Sequence, residues 1–234
     1  MPTTIMRTYS MSSVYILLNV AIGTFTMNCE GSTGIPPCDQ ILYYRVIFPF
    51  ESACENNCTC KNKGIDFLVE CSRRHLTKVP SNFPSETTIL DLRENEISEI
   101  RADALNGVPN LTKLYLQQNV LSSLPENLLQ SNKLLRTFHI QRNNLLELPS
   151  KLFVFNPQIN DINLSMNKLK VIPETLLSTT ISLRRLDISF NLLEELNQEL
   201  FHKTPNITQL YVHQNHRRAL HPQLFASLAN LTSL

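Results

Sequence analysis

The chain of 234 residues repeats a block of 24 residues six times in direct succession, which strongly constrains its fold. The copies begin at Thr87, Leu111, Leu135, Ile159, Leu183 and Ile207. Apart from Thr87 and Arg217, every copy has apolar residues at relative positions 1, 4, 6, 11 and 14. A unit this short cannot bury its apolar face alone, so the copies are predicted to stack along one axis.

Position 9 of the block is asparagine in every copy: Asn95, Asn119, Asn143, Asn167, Asn191 and Asn215. A chain that bends sharply after a short strand leaves buried backbone N–H and C=O groups that need partners. An amide side chain offers both donor and acceptor. We therefore predict a structural asparagine ladder. A second column puts a large apolar residue on the return half of each copy: Leu105, Leu129, Phe153, Leu177, Phe201 and Phe225.

The pattern L-x-x-L-x-L-x-x-N with this period resembles the leucine-rich repeat family over residues 54–234. The 24-residue spacing, with Pro125, Pro149 and Pro173 at position 15, is similar to the extracellular animal type. The resemblance implies an α/β solenoid, a horseshoe with one short parallel strand per repeat on its concave face and an irregular or 3-10 convex side. A helical bundle is disfavoured, because it needs apolar residues every three to four positions throughout.

All six cysteines precede the first full repeat: Cys29, Cys38, Cys54, Cys58, Cys60 and Cys71. The last four resemble the amino-terminal cap of extracellular leucine-rich repeat proteins, and we assign the cap to residues 54–86. The resemblance implies disulfides Cys54–Cys60 and Cys58–Cys71. Sequence alone leaves the pairing of six cysteines open, and Cys29 is a candidate partner for Cys38. The alternative to disulfides is a zinc site in which these four cysteines are the thiolate ligands. This alternative is disfavoured, because exported thiols meet oxidising conditions.

The amino-terminal residues 1–23 are predicted to be a secretory signal peptide. Arg7 precedes an apolar stretch over residues 14–25, and Ala21-Ile22-Gly23 supplies small residues for cleavage. A membrane-spanning helix is the alternative, but this stretch is shorter than the roughly 20 apolar residues that a bilayer requires. Residues 24–53 then form a leader segment to which the sequence assigns no structure. The six repeats and the start of a seventh fill residues 87–234, and the missing seventh repeat predicts a longer protein.

Five N-x-[ST] sequons also favour the secretory route: Asn57, Asn110, Asn163, Asn206 and Asn230. Asn110, Asn206 and Asn230 share position 24, which we expect to be an exposed corner. N-L-T can equally arise from the repeat pattern itself. Asn163 is expected on the strand face.

Side chains alternate along a strand, so positions 4 and 6 should point inward and positions 3, 5 and 7 outward, with position 8 beside them at the turn. The outward columns mix aromatic, basic and amide side chains, a composition suited to a protein ligand. We predict contacts from Tyr115, His139, Met166, Arg185, Phe190 and Tyr211. The alternative is that a solvated face is polar in any case.

Other function classes find little support. Basic and acidic residues are balanced, 21 against 20, so no nucleic-acid partner is expected. Neither a cofactor nor a metal site is expected. Ser165 and Ser189 lie in the same outward columns as His139 and His213, but without a group to orient the histidine they predict no enzyme. Arg217 breaks the apolar pattern, which favours a degenerate repeat over a ligand site.

Three functions remain open. The first is an extracellular module, secreted or on the outer side of the plasma membrane, that binds a protein ligand. The second is an ectodomain fragment of a Toll-like innate immune receptor, attached to the membrane through a missing carboxy-terminal part. The third is a non-catalytic inhibitor or carrier subunit of a serum enzyme. Fold-level resemblance does not separate them.

Overall fold

The computed structural model of the chain describes residues 58–216 and 223–233, together with four short strands upstream of them. The chain divides into two compact units, Met1–Val46 and Ile47–Leu234. In the first unit, β1 (Ser10–Met11), β2 (Val14–Leu18) and β3 (Phe25–Asn28) form an antiparallel sheet. Strand β2 lies in the predicted signal peptide, whose removal stays a prediction. Within the described residues, no helix is long and apolar enough to cross a bilayer.

The second unit is built on one sheet of nine strands, which neighbour each other in chain order. Its antiparallel beginning consists of β4 (Glu51–Ala53), β5 (Thr59–Lys63) and β6 (Asp66–Glu70). Each repeat then adds one parallel strand of three residues: β7 (Ile89–Asp91), β8 (Lys113–Tyr115), β9 (Thr137–His139), β10 (Asp161–Asn163), β11 (Arg185–Asp187) and β12 (Gln209–Tyr211). The predicted solenoid with its parallel strands is confirmed.

The strands are short because the backbone turns at the same point of every repeat. The residue at position 8 has a positive φ in all six copies, between 52° and 58°. Its identity varies, since the set is Glu94, Gln118, Arg142, Met166, Phe190 and Gln214. A left-handed conformation is uncommon for such residues, so the packing around the turn imposes it. The next residue is always the asparagine of the ladder.

The ladder asparagines connect each repeat to the one before it. Asn119 donates from Nδ2 to the carbonyl of Leu116 in its own repeat and to that of Leu92 in the preceding repeat, both at 3.0 Å. Its Oδ1 accepts a hydrogen bond from the N–H of Ile97 at 3.0 Å. The same three bonds recur from Asn95 to Asn215. Since successive asparagines share the carbonyl at position 6, as Asn119 and Asn143 share that of Leu116, the ladder satisfies one buried carbonyl and one buried N–H per repeat.

The core lies between the strands and the return legs, which are runs of hydrogen-bonded turns. Side chains at positions 4 and 6 are buried, as Leu114 and Leu116 show. On the return side Phe153 and Phe201 are fully buried. The ring of Phe153 meets that of Phe138 edge-on at 5.5 Å, so the two columns join into one core.

A second buried polar column crosses the return legs at position 22, and the sequence did not predict it. Asn132 and Asn156 are fully buried there. The Nδ2 of Asn132 donates to two backbone carbonyls, and that of Asn156 does the same. In the next two repeats threonine hydroxyls take over, each donating to a carbonyl three residues earlier.

The cap contains a disulfide between Cys58 and Cys71, the pair that the resemblance implied. Cys60 is also disulfide-bonded, whereas Cys54, Cys29 and Cys38 lie outside the described residues. These bonds leave no thiolates at Cys58, Cys60 and Cys71 for the alternative zinc site. Strand β4 pairs with β5 although it precedes the predicted cap boundary, so the sheet begins inside the segment assigned to the leader.

Candidate functional site

The strands β7–β12 align equivalent positions of successive repeats, so outward side chains stand in columns. Asp161, for example, pairs with Thr137 on one side and Arg185 on the other. We call the surface formed by positions 3, 5, 7 and 8 of the six repeats, which comprise β7–β12 and the turns that follow them, the concave wall. Neighbouring side chains in a column lie about 4.8 Å apart, the spacing of paired strands. Each side chain of the wall can therefore contact those of the adjacent repeats.

Asp161 forms the centre of a charged network on the wall. Its carboxylate lies 3.0 Å from Nε2 of His139 and accepts a hydrogen bond of 3.2 Å from the guanidinium of Arg185. Arg185 also reaches the carboxylate of Asp187 at 3.5 Å. Three successive strands are thereby joined through side chains whose exposed fractions are 20–30% for His139, Asp161 and Arg185.

Aromatic rings extend this network at both ends. On one side, Tyr115 meets the ring of His139 edge-on at 5.5 Å. On the other, the guanidinium of Arg185 lies over the ring of Tyr211 at 5.2 Å, which is a cation–π geometry. The result is a row of side chains in contact from β8 to β12. Because each member holds its neighbour, the row is preorganised and loses little side-chain entropy on binding.

Two apolar side chains stand exposed beside the row. Met166 is 39% and Phe190 is 44% exposed, and both occupy position 8 of neighbouring repeats. Phe190 meets the ring of His213 at 5.2 Å, while the guanidinium of Arg142 lies 3.2 Å from the sulfur of Met166. The six predicted contact residues therefore fall on one continuous surface of the wall.

The middle of the wall is less open than the alternation rule predicts. Asn163, Ser165 and Ser189 point outward but are buried by their neighbours. The hydroxyl of Ser165 donates to Oδ1 of Asn163 at 2.7 Å, and that of Ser189 to Asp187 at 2.6 Å. Both serine hydroxyls thus donate to a side chain two residues earlier in their own repeat rather than to a histidine.

The sequons differ in accessibility. Asn110, Asn206 and Asn230 are exposed, and each donates from Nδ2 to the carbonyl 25 residues earlier, which belongs to the cap for Asn110 and to the preceding repeat for the other two. Asn163 is 9% exposed and bonded to Ser165, because position 5 of β10 is crowded by both neighbouring strands. Its burial argues against a glycan there. Asn57 lies outside the described residues, as does Arg217.

Burial and charge set the protonation of the wall. Burial raises the pKa of Asp91, although the nearby backbone N–H and guanidinium of Arg93 act in the opposite direction. Burial also raises the pKa of the Tyr115 hydroxyl, and the charges of Asp91 and Asp161 add to this effect. Tyr115 is therefore a neutral hydrogen-bonding group at neutral pH. No group of three metal-binding side chains occurs in the part of the chain that the structure describes.

Asp161 is expected to stabilise the fold in a pH-dependent way. Burial alone would raise the pKa of Asp161, but the hydrogen bonds and charges of His139 and Arg185 outweigh it and lower the pKa. A lowered pKa means that the stabilisation is present above the ordinary pKa of aspartate, about 3.9, and is lost as pH falls through the folded value. Asp161→Asn should reduce the free energy of unfolding at pH 7 by about 1–3 kcal/mol.

The loss of stability in Asp161→Asn would be measured by urea unfolding of the wild type and the variant, at pH 7 and at pH 3 or below. The difference between them should shrink in acid. The matched control is Asp103→Asn, which removes an exposed ion pair with Arg101 and should change stability little. An equal difference at both pH values would mean that the carboxylate charge is not what stabilises the network.

Asp161 was not predicted from the sequence as a contact residue, and position 8 was expected at a turn but not in a left-handed conformation. Asp161 was in the outward column, and its position directly beside Arg185 and diagonal to His139 was the available signal, since side chains at such positions on adjacent strands meet. The turn had no residue signature, because position 8 carries six residues of five kinds.

A family model described as leucine rich repeat matches residues 85–145 and 181–234. Biglycan from Xenopus laevis is 35% identical over 92 residues, which are 39% of this chain and 24% of biglycan. Decorin from Gallus gallus is 34% identical over 90 residues, 38% of this chain and 23% of decorin. These matches thus span about a quarter of the curated relatives.

Solved structures match as well. One is the complex of Toll and Spatzle from Drosophila, with 28% identity and a TM-score of 0.51, covering 65% of this chain and 24% of that chain. Another is the leucine-rich repeat domain of APL1, with 27% identity and a TM-score of 0.58, covering 62% of this chain and 38% of that chain.

Proposed function

Since this chain is a leucine-rich repeat protein, we propose that it is an extracellular recognition module whose concave wall binds a protein ligand. The observation that carries this proposal is the row of side chains from Tyr115 to Tyr211, held together by the His139, Asp161 and Arg185 contacts. Preorganised aromatic and arginine side chains are typical of the residues that dominate binding energy at protein interfaces.

The extracellular location rests on separate support. The disulfide of the cap suits an oxidising compartment, and three exposed sequons suit passage through the secretory pathway. A receptor ectodomain is the second candidate, favoured by the similarity to Toll, whose structure was solved with Spatzle. Both candidates use the wall in the same way and differ in how the protein is attached to the cell.

Replacing Tyr115 and Tyr211 together by alanine should weaken binding of a protein partner by at least about tenfold, because interface tyrosines often contribute more than 1.4 kcal/mol each. The secreted protein would be screened against arrayed extracellular proteins, and each binder titrated with wild type and variant. Phe155→Ala is the matched control, since that ring is 48% exposed on a return leg.

Urea unfolding of both variants would verify that they remain folded. A binder that loses affinity for the double variant and keeps it for Phe155→Ala agrees with the proposal. Binders whose affinity is unchanged in the double variant would move the ligand site off the concave wall.

A further inference from the structure

Position 2 of the repeats, one residue before each strand, carries a charge pattern that the concave wall does not use. Arg136 precedes β9, Asn160 precedes β10 and Arg184 precedes β11. Backbone hydrogen bonds of 2.9 Å from the N–H of Asn160 to Arg136 and from the N–H of Arg184 to Asn160 fix their spacing. The two arginine backbones are thus roughly 10 Å apart, twice the spacing of paired strands.

The guanidinium groups of Arg136 and Arg184 differ from all other arginines that the structure describes. The others contact a side-chain partner, as Arg73 contacts Glu94 and Arg101 contacts Asp103. In the described residues, no hydrogen bond or ion pair joins either guanidinium of this pair to another side chain. Both side chains are exposed. Two unpaired guanidinium groups on one edge form a local positive field.

Both arginines line the same open cavity of about 340 Å³ at the edge where β9–β12 begin. Among the described residues, those that line it are all of polar or basic type and none is acidic: Arg136, Gln158, Asn160, Ser182, Arg184 and Asn206. The volume exceeds that of a single water or small anion, which needs about 30 Å³. The cavity therefore combines two unpaired guanidinium groups with three amides and one hydroxyl.

We propose that this cavity binds an anionic saccharide. Guanidinium groups bind sulfate and carboxylate oxygens in bidentate fashion, and two of them on side chains whose backbones are roughly 10 Å apart can hold acidic groups on different sugars of one chain. The amides and the serine hydroxyl both donate and accept hydrogen bonds, as sugar hydroxyls require. An acidic peptide fits less well, because the lining has no apolar side chain to receive its side chains.

The sequon at Asn206 controls access to the cavity. Asn206 lines it, and its Nδ2 donates to the carbonyl of Ile181 at 2.9 Å while the residue remains exposed. A glycan attached there would stand at the mouth and compete with the ligand. Asn206→Gln keeps an amide and removes the attachment site, so it should bind the saccharide at least as well as the secreted wild type.

Isothermal titration calorimetry with a heparin-derived hexasaccharide tests the proposal. The titration is done at low salt, because salt screens exposed charges. The protein would be Asn206→Gln, with and without the double replacement Arg136→Gln and Arg184→Gln. The double replacement should weaken binding at least about tenfold, since each charge-assisted hydrogen bond is typically worth that factor. The double replacement Arg73→Gln and Arg101→Gln in the same background removes the same total charge away from the cavity and should bind normally.

Neutral maltohexaose and a glutamate hexapeptide complete the set of probes. Maltohexaose should not bind. Three results would each overturn the proposal. The double replacement could bind with the same affinity as its parent, the parent could fail to bind the heparin hexasaccharide, or the hexapeptide could bind as tightly as the saccharide. Because the cavity lies outside the concave wall, Tyr115→Ala with Tyr211→Ala should leave saccharide binding unchanged.

Discussion

Asn143→Leu is expected to lower the free energy of unfolding by roughly 2–6 kcal/mol. It leaves the buried N–H of Leu121 without a partner, at about 1–3 kcal/mol, and removes one of the two ladder hydrogen bonds that the carbonyls of Leu116 and Ile140 each accept, at about 0.5–1.5 kcal/mol each. The Nδ2 of Asn143 donates to the carbonyls of Leu116 and Ile140 at 3.0 and 2.9 Å. Its Oδ1 accepts the N–H of Leu121 at 3.0 Å. Leucine has a similar volume but offers none of these bonds, so water-excluded polar groups remain.

The next residue provides a control of the same type. Asn144 is partly exposed, and only its backbone N–H makes a hydrogen bond, to the carbonyl of Leu121. Asn144→Leu should therefore leave stability nearly unchanged. Urea unfolding followed by circular dichroism measures both. If the two substitutions lowered the midpoint equally, the ladder would not be a main source of stability in this solenoid.

Phe153→Ala is expected to cost about 3–5 kcal/mol of stability, the usual range for removing a buried phenylalanine. Phe153 is fully buried in the return legs and contacts the ring of Phe138. The loss of the ring leaves a cavity where the strand side and the return side of the core meet. The repeats cannot move together to close this cavity, because the parallel strands hold them in register. In a stacked array the damage also weakens the interfaces to neighbouring repeats.

Phe155→Ala two residues later is the matched control, since that ring is 48% exposed. It should change the midpoint of urea unfolding little. Because the arrays of repeats can lose cooperativity, the midpoint and the slope of the transition would both be compared. Similar losses for both substitutions would contradict the assignment of Phe153 to the core.

Much of the fold followed from the sequence because every repeat meets the same physical requirement. The leucines at positions 4 and 6 alternate with polar residues, so strand direction and the inward face were predictable from Leu114 and Leu116 alone. The second buried polar column was not predicted, because asparagine occupies it only at Asn132 and Asn156, threonine replaces asparagine in the next two repeats, and Val108 begins the column. A polar column that changes residue type from repeat to repeat gives no periodic signal.

The candidate site was predictable as a surface and not as a set of interactions. The outward columns contained all six predicted contact residues, yet the partners of each depend on neighbours 22 to 24 residues away, as with His139 and Asp161 or Asp161 and Arg185. Burial within the wall was also missed for Ser165 and Asn163, because alternation gives direction but not crowding. The unpaired Arg136 and Arg184 became visible only once the ion pairs of the other arginines were known.

The most direct test of the central claim is photo-crosslinking from two exposed phenylalanines. p-Benzoylphenylalanine would replace Phe190 on the concave wall or Phe155 on a return leg, where the rings are 44% and 48% exposed. Each protein would be irradiated with extracellular partners, and the adducts identified by mass spectrometry. Adducts to one partner from position 190 but not from position 155 are the predicted result. Adducts from position 155 alone would contradict recognition through the concave wall.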